Sequence, residues 1–75
     1  MGEIVTKPTS QLVLEAAKQL MPYGKYKGRR LIDIPEFYLI WYQRKGWPAG
    51  LLGKQLALMM EIKINGLEDM IRRII

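Results

Sequence analysis

Met21-Pro22-Tyr23-Gly24-Lys25-Tyr26-Lys27-Gly28-Arg29-Arg30-Leu31-Ile32 is the stretch on which the architecture turns. Pro22 pushes Met21 out of the α region and so closes whatever helix precedes it. Gly24 and Gly28, four residues apart, permit positive φ or a close backbone approach. Between them Lys25-Tyr26-Lys27 alternates, which in an extended chain puts both lysines on one side and Tyr26 on the other. The stretch reads as a short β-hairpin or tight basic loop over residues 21–32, ending in a brief strand at Leu31-Ile32.

Helical periodicity surrounds it. On the N-terminal side, Leu12, Val13, Ala16, Ala17 and Leu20 recur at helical spacing from Gln11 to Leu20. Thr9 or Ser10 is the expected cap, and residues 1–8 form an extended lead-in closed by Pro8. On the C-terminal side, Asp33 with Glu36 three residues later suggests a capping box, with Pro35 in the first turn. The helix that follows carries Phe37, Tyr38, Ile40 and Trp41 and stops at Arg44-Lys45-Gly46. A turn at Trp47-Pro48-Ala49-Gly50 leads to a third helix from about Leu51 to Ile64, with Leu52, Leu56, Met59 and Ile62 near its period and Asn65-Gly66 as its stop. A last helix over residues 67–75 places Leu67, Met70, Ile71 and Ile74 on one side. Nine residues are too few for a stable lone helix, so this tail must dock on its own domain or on a partner. The predicted fold is mainly α with a short β-hairpin (small α+β): three to four helices around one core, in a single domain spanning residues 1–75.

Composition narrows the function. The chain has 75 residues, no Cys and no His. Without Cys there is no disulfide framework, thiolate nucleophile or zinc-thiolate site. Without His there is no Ser–His–Asp or Cys–His catalysis and no histidine metal ligand. A chain of this length buries only about 60–65% of its unfolded surface, so modest stability is expected. The reading is a non-enzymatic binding module with no cofactor and no metal.

Charge then gives the binding surface an address. Twelve Lys plus Arg against seven Asp plus Glu leave a net charge of +5. Residues 18–30 hold Lys18, Lys25, Lys27, Arg29 and Arg30 and no acid, whereas elsewhere Lys7, Arg44, Lys45, Lys54, Lys63, Arg72 and Arg73 balance Glu3, Glu15, Asp33, Glu36, Glu61, Glu68 and Asp69. A concentrated patch makes a local positive field that favours phosphate, an acidic protein or an anionic lipid surface. The plain alternative is a solvated loop with no specific partner.

Gly24-x-x-x-Gly28 matches neither the P-loop nor the dinucleotide signature. It is a tight turn, or a small nest of backbone amides for an anion. The basic-aromatic interleaving says more, because Lys25, Tyr26, Lys27, Arg29 and Arg30 pair phosphate neutralisers with a flat ring, as single-strand binders do. Tyr23, following directly on the helix, is the ring expected to anchor the loop, and Tyr26 at the tip is the candidate ligand contact. Phe37, Tyr38, Trp41, Tyr42 and Trp47 are expected in the core, with Tyr42 and Trp47 partly exposed. Asp33 and Glu36 form a close carboxylate pair that capping explains without catalysis.

Hydrophobic residues make up 49% of the chain, yet no apolar run approaches a membrane span of roughly 20 residues. No signal-peptide pattern opens the sequence, and Met1, Gly2 and Thr6 fit the myristoylation consensus by coincidence. A cytoplasmic protein is expected, with no membrane partner.

Met21-Pro22-Tyr23-Gly24-Lys25-Tyr26-Lys27-Gly28, Leu31-Ile32-Asp33-Ile34-Pro35 and Tyr38-Leu39-x-Trp41 resemble the small bacterial family labelled "putative quorum-sensing-regulated virulence factor", a domain of unknown function. Gly46-Trp47-Pro48, Gly50-x-x-Gly53 and Glu61-Ile62-Lys63-x-Asn65-Gly66-Leu67 are similar to its pattern, so the likeness covers about residues 20–70. The Gly-Lys-Tyr-Lys-Gly segment with its downstream Tyr-Leu-x-Trp also resembles the C-terminal module of exonuclease-X-like nucleases. That likeness implies an accessory nucleic-acid-binding role for Lys25, Tyr26 and Lys27, and carries over no catalytic residue. The expectation is therefore a basic loop of Lys25, Lys27, Arg29 and Arg30, with Tyr26 stacking, that meets single-stranded or duplex nucleic acid. The rival is a protein-interaction module, either a homodimer through the C-terminal helix or a loop that meets an acidic protein.

Overall fold

The computed structural model describes residues 9–75. The lead-in over residues 1–8 and the Met1, Gly2 and Thr6 pattern lie outside them. Four α-helices follow one another: α1 (Thr9–Lys18), α2 (Glu36–Lys45), α3 (Leu51–Ile64) and α4 (Glu68–Ile74), with a single 3₁₀ turn at Leu31–Asp33 between the first two. None is long and apolar enough to cross a membrane.

The molecule is mainly helical, as the periodicity predicted, but the β-hairpin over residues 21–32 does not form. Among the described residues there is no strand, only one antiparallel bridge between Leu20 and Arg30. A hairpin needs two facing rows of donors and acceptors, and Pro22 has no N–H to give. Gly24 and Gly28 then take φ of +83° and +85° and curl the chain. Lys27 donates to the Gly24 carbonyl at 3.1 Å and Arg29 to that of Tyr26 at 3.0 Å, so the arms close in turns. What remains of a ladder is Leu31 N–H on Gln19 O, Met21 N–H on Arg29 O and Gly28 N–H on Met21 O, each 2.8 Å. The brief strand expected at Leu31-Ile32 is instead the 3₁₀ turn, held by Asp33 N–H on Arg30 O and Ile34 N–H on Leu31 O. The same bonds explain why α1 ends at Lys18 and not Leu20: Gln19 and Leu20 are drawn into the bridge.

The capping box is also absent. Pro35, not Asp33, precedes the first helical residue of α2, and no side chain caps that end. Asp33 turns away because Arg30 and Arg72 both hold its carboxylate. The expected stops at Gly46 and Asn65 are where α2 and α3 end.

The core takes a large share from the irregular segment. Met21, Leu31, Ile32, Ile34, Leu39, Leu56 and Met59 are its largest fully buried side chains, and four of these lie between residues 21 and 34. Burying a side chain of this size is worth about 1.5–3 kcal/mol, so the loop is anchored at both ends by its own apolar residues. α1 contributes the small Ala16 and Ala17, while α3 adds Met60 and Ile62 and α4 adds Ile71. Gly53, inside α3, is buried against the preceding turn: a Cβ there would lie 1.9 Å from the Pro48 carbonyl oxygen. That approach seats Trp47-Pro48 directly on the backbone of α3.

Because aliphatic residues fill the interior, the rings of α2 lie at or beyond its boundary. The expectation that they and Trp47 form the core holds only in part: Tyr38, Tyr42 and Trp47 pack against it, the last two partly exposed as expected, while Phe37 and Trp41 stay outside. Leu39 alone is fully buried on this helix, Phe37 is 65% and Trp41 47% exposed, and Tyr38, Tyr42 and Trp47 are half-buried at the boundary.

Candidate functional site

Two clusters of charge lie on this scaffold, and they are built differently. In the first, every cation has a carboxylate or carbonyl partner. Arg72 reaches Asp33 Oδ1 at 2.8 Å, Glu68 Oε2 through Nη2 at 2.9 Å, and the Ile32 carbonyl at 3.0 Å. Lys63, its side chain only 7% exposed, donates to the same carbonyl at 2.8 Å and pairs with Glu68 at 3.1 Å. Arg30 Nε closes the chain on Asp33 Oδ2 at 3.0 Å. Partial burial alone would push the Asp33 carboxyl up, but hydrogen bonds from Arg30 and Arg72, helped by their charges, hold it below its ordinary value. At Glu68 burial likewise pushes the carboxyl up, but hydrogen bonds from Lys63 and Arg72, helped by their charges, outweigh it and hold the group below its ordinary value. This clamp docks α4 on the 3₁₀ turn and α3. It answers the question posed by the tail, which packs on its own domain through Ile71 and Arg72.

The second cluster is the loop. Lys25, Lys27 and Arg29 are exposed and make no ion pair with any described residue. Arg30, counted with them on sequence, is half-buried and belongs to the clamp. The roles expected of the two tyrosines are exchanged in burial. Tyr26 packs on the core and meets Tyr38 edge-to-face at 4.8 Å, whereas Tyr23 is 47% exposed. Tyr26 is the ring that ties the loop down, since the curl between the two glycines folds it inward.

From Tyr26 a run of rings leads away from the loop. Tyr38 stacks on Trp41 at 5.4 Å, Tyr42 meets both Tyr38 and Trp41 edge-on, and Trp47 stacks on Tyr42 at 6.3 Å. Burial first, and then the neighbouring Tyr23 hydroxyl, raise the Tyr42 hydroxyl above its ordinary pKa. Cations edge the run at both ends. Lys25 Nζ lies 5.7 Å from the Tyr26 ring centre, and Lys45 Nζ 5.1 Å from that of Trp41. Arg44 and Lys45 are exposed and, like the loop cations, have no ion pair with a described residue.

The sequence reading located the loop, weighed Phe37 and Trp41 as a binding platform but assigned them to the core, and missed Arg44 and Lys45 beside them. The i, i+4 spacing of Phe37, Trp41 and Lys45 was a usable signal, because it sets all three on one side of α2. An apolar groove between α1 and α3, lined by Leu12, Ala16, Leu51 and Leu58, shares no residue with this surface.

These features define a class: a small helical domain that carries exposed cations, without an ion pair to any described residue, beside a run of interlocked aromatic rings. The chain belongs to the family described as "Putative quorum-sensing-regulated virulence factor", matching it over residues 9–74. It is 49% identical over 61 residues to the "Uncharacterized protein YpeB" of Escherichia coli strain K12, and equally so to the protein of that name from strain O157:H7. Each alignment covers 80% of this chain and 85% of the relative. No solved structure matches the chain. The family match bears out the first resemblance drawn from the sequence, while the likeness to the nuclease module gains nothing from these relatives.

Proposed function

We propose that the protein is a non-enzymatic binding module that takes a nucleic-acid backbone on the surface formed by Lys25, Lys27 and Arg29 and the rings beside them. The observation that carries this reading is the contrast in pairing: the clamp cations are neutralised within the fold, and those of the loop are left to solvent. Arg30 takes part through the backbone bridge that sets the loop, and Tyr26 by fixing its shape. Exposed cations without a fold-internal partner are available to displace counterions from phosphates, which makes binding fall with salt. A nucleic-acid partner would place the protein in the cytoplasm.

Fluorescence anisotropy with labelled oligonucleotides at two salt concentrations tests it. Lys25→Glu with Lys27→Glu is expected to weaken binding at least tenfold, since each change removes one phosphate contact and adds a repulsion. Absence of binding near physiological salt, or binding indifferent to the double change, sinks the reading.

A second reading is favoured by α4. Leu67, Met70 and Ile74 remain exposed along one side, and Asp69 and Arg73, both outside the clamp, flank them. An antiparallel pair of α4 helices from two copies would oppose Asp69 to Arg73 twice. Sedimentation over a range of concentrations decides it: a monomer throughout, unaltered by Met70→Glu, removes the homodimer.

A further inference from the structure

The rings left outside the core point to the kind of nucleic acid, an inference that rests on the reading just given. Phe37 and Trp41 lie one turn apart on the same side of α2, 65% and 47% exposed. Phe37 makes no ring contact with a described residue, whereas Trp41 is fixed by stacking on Tyr38 and by the edge of Tyr42. A large apolar ring held in place and still presented to water is unfavourable by itself, because burial of such rings is what small domains draw stability from. It is also a surface that needs little ordering when a flat ligand arrives.

Cations bracket this surface. Lys45, one turn beyond Trp41, rests its ammonium over the indole at 5.1 Å and has no ion pair with a described residue. Arg44 is beside it, and Lys25 stands at the other end of the Tyr26–Tyr38–Trp41 run. Glu36 points about 100° round the helix from Phe37 and so does not share its side. The layout places positive charge at the margins and ring faces between, the distribution of a backbone tracked by phosphates with its bases turned inward. In a duplex the faces of the bases are stacked on one another and only edges and phosphates are offered. Charge alone would serve a duplex, while exposed ring faces stack at least cost on bases that are already unpaired, since a duplex must first be unstacked to admit them.

We propose that Phe37 and Trp41 are stacking platforms for unpaired bases, that Lys45 leaves the indole for a phosphate when a base arrives, and that the protein binds single strands in preference to duplex. Stacking on a ring face is tolerant of sequence, so the preference is for strandedness and not for a base order.

The test uses the full chain and its own fluorescence. The sequence has two tryptophans, so Trp47→Phe leaves Trp41 as the reporter. Oligothymidylate, oligouridylate and a mixed-sequence duplex of the same length are titrated against it. Single strands are expected to quench Trp41 and to bind about tenfold tighter than the duplex. Phe37→Ala, at an exposed position with no ring partner, is expected to lower single-strand affinity about fivefold while leaving duplex affinity, the salt slope and the melting temperature unchanged. Duplex binding as tight as single-strand binding, or single-strand binding without quenching and untouched by Phe37→Ala, overturns this inference and leaves the phosphate-binding reading standing. No binding of any of the three overturns both.

Discussion

The Asp33–Arg72 clamp and the Lys25–Arg29 loop contain the same kinds of side chain and use them in opposite ways. In the clamp, Lys63, Arg72 and Arg30 converge on two carboxylates and a carbonyl. On the loop, three cations within five residues face water with only a neighbouring ring beside one of them. Charge therefore holds the fold at one end and is held in reserve at the other. A basic residue in this protein tells nothing of its role until its partner is known, and the partner is set by the fold.

The strongest way to break the comparison is to dislodge the scaffold on which the ring run sits. Gly53→Ala would put a Cβ 1.9 Å from the Pro48 carbonyl oxygen and 3.3 Å from the Trp47 Cβ, so the turn must lift off α3. Overpacking of this kind is expected to cost about 3 kcal/mol. Chemical denaturation should show it, together with a changed Trp47 emission, because Trp47 would leave Tyr42. Stability within 0.5 kcal/mol of wild type would mean that the turn is not seated as described.

A smaller effect is expected when the clamp is opened. Arg72→Ala removes contacts to Asp33, Glu68 and the Ile32 carbonyl, all partly exposed, for a loss of about 2 kcal/mol after solvent screening. Nucleic-acid affinity should stay within about twofold, since no loop cation is altered. The clamp also has an acid signature. Asp33 and Glu68 are both lowered on folding. Their contribution to stability is present in full above the ordinary carboxylate range, about pH 4, and is lost as pH falls through their lower folded values. Wild-type stability should thus decline below about pH 4, and the decline should be shallower in Arg72→Ala, measured by denaturation at stepped pH. Parallel profiles would remove the clamp as its cause.

Much of the helical frame was legible in the chain. Gly46 and Asn65-Gly66 stop α2 and α3 because local geometry suffices there, and the apolar period of α3 names Leu56, Met59 and Ile62 correctly. Burial was less legible, because periodicity assigns a side to a helix but not the competition between elements. Met21, Leu31, Ile32 and Ile34 sit in an irregular segment with no period to read, and they took the interior that the rings of α2 were expected to fill. Of the site, the charge run at residues 25–30 was readable as composition. Its division between Arg29 and Arg30 was not, since the Asp33 carboxylate that takes Arg30 was read as a helix cap, and the Arg72 that shares it comes from 39 residues away. The link from the loop to Lys45 through Tyr26, Tyr38 and Trp41 was hidden for the same reason.

Arg29 and Arg30 supply the finest test of the comparison, being adjacent in sequence and on opposite sides of it. Arg30→Ala deletes a pair with Asp33 in which both side chains are partly exposed, so the expected loss of stability is small, about 0.5 kcal/mol, with Arg72 still holding the carboxylate. Its effect on binding should be slight. Arg29→Ala deletes a side chain with no ion-pair partner among the described residues, so the melting temperature should not move. Binding should nevertheless weaken, and the slope of log affinity against log salt should fall by about 0.7, the share of one single-strand phosphate. The two variants would then separate stability from affinity at neighbouring positions. If Arg30→Ala weakened binding as much as Arg29→Ala and left stability untouched, pairing within the fold would not be what divides structural from functional charge here.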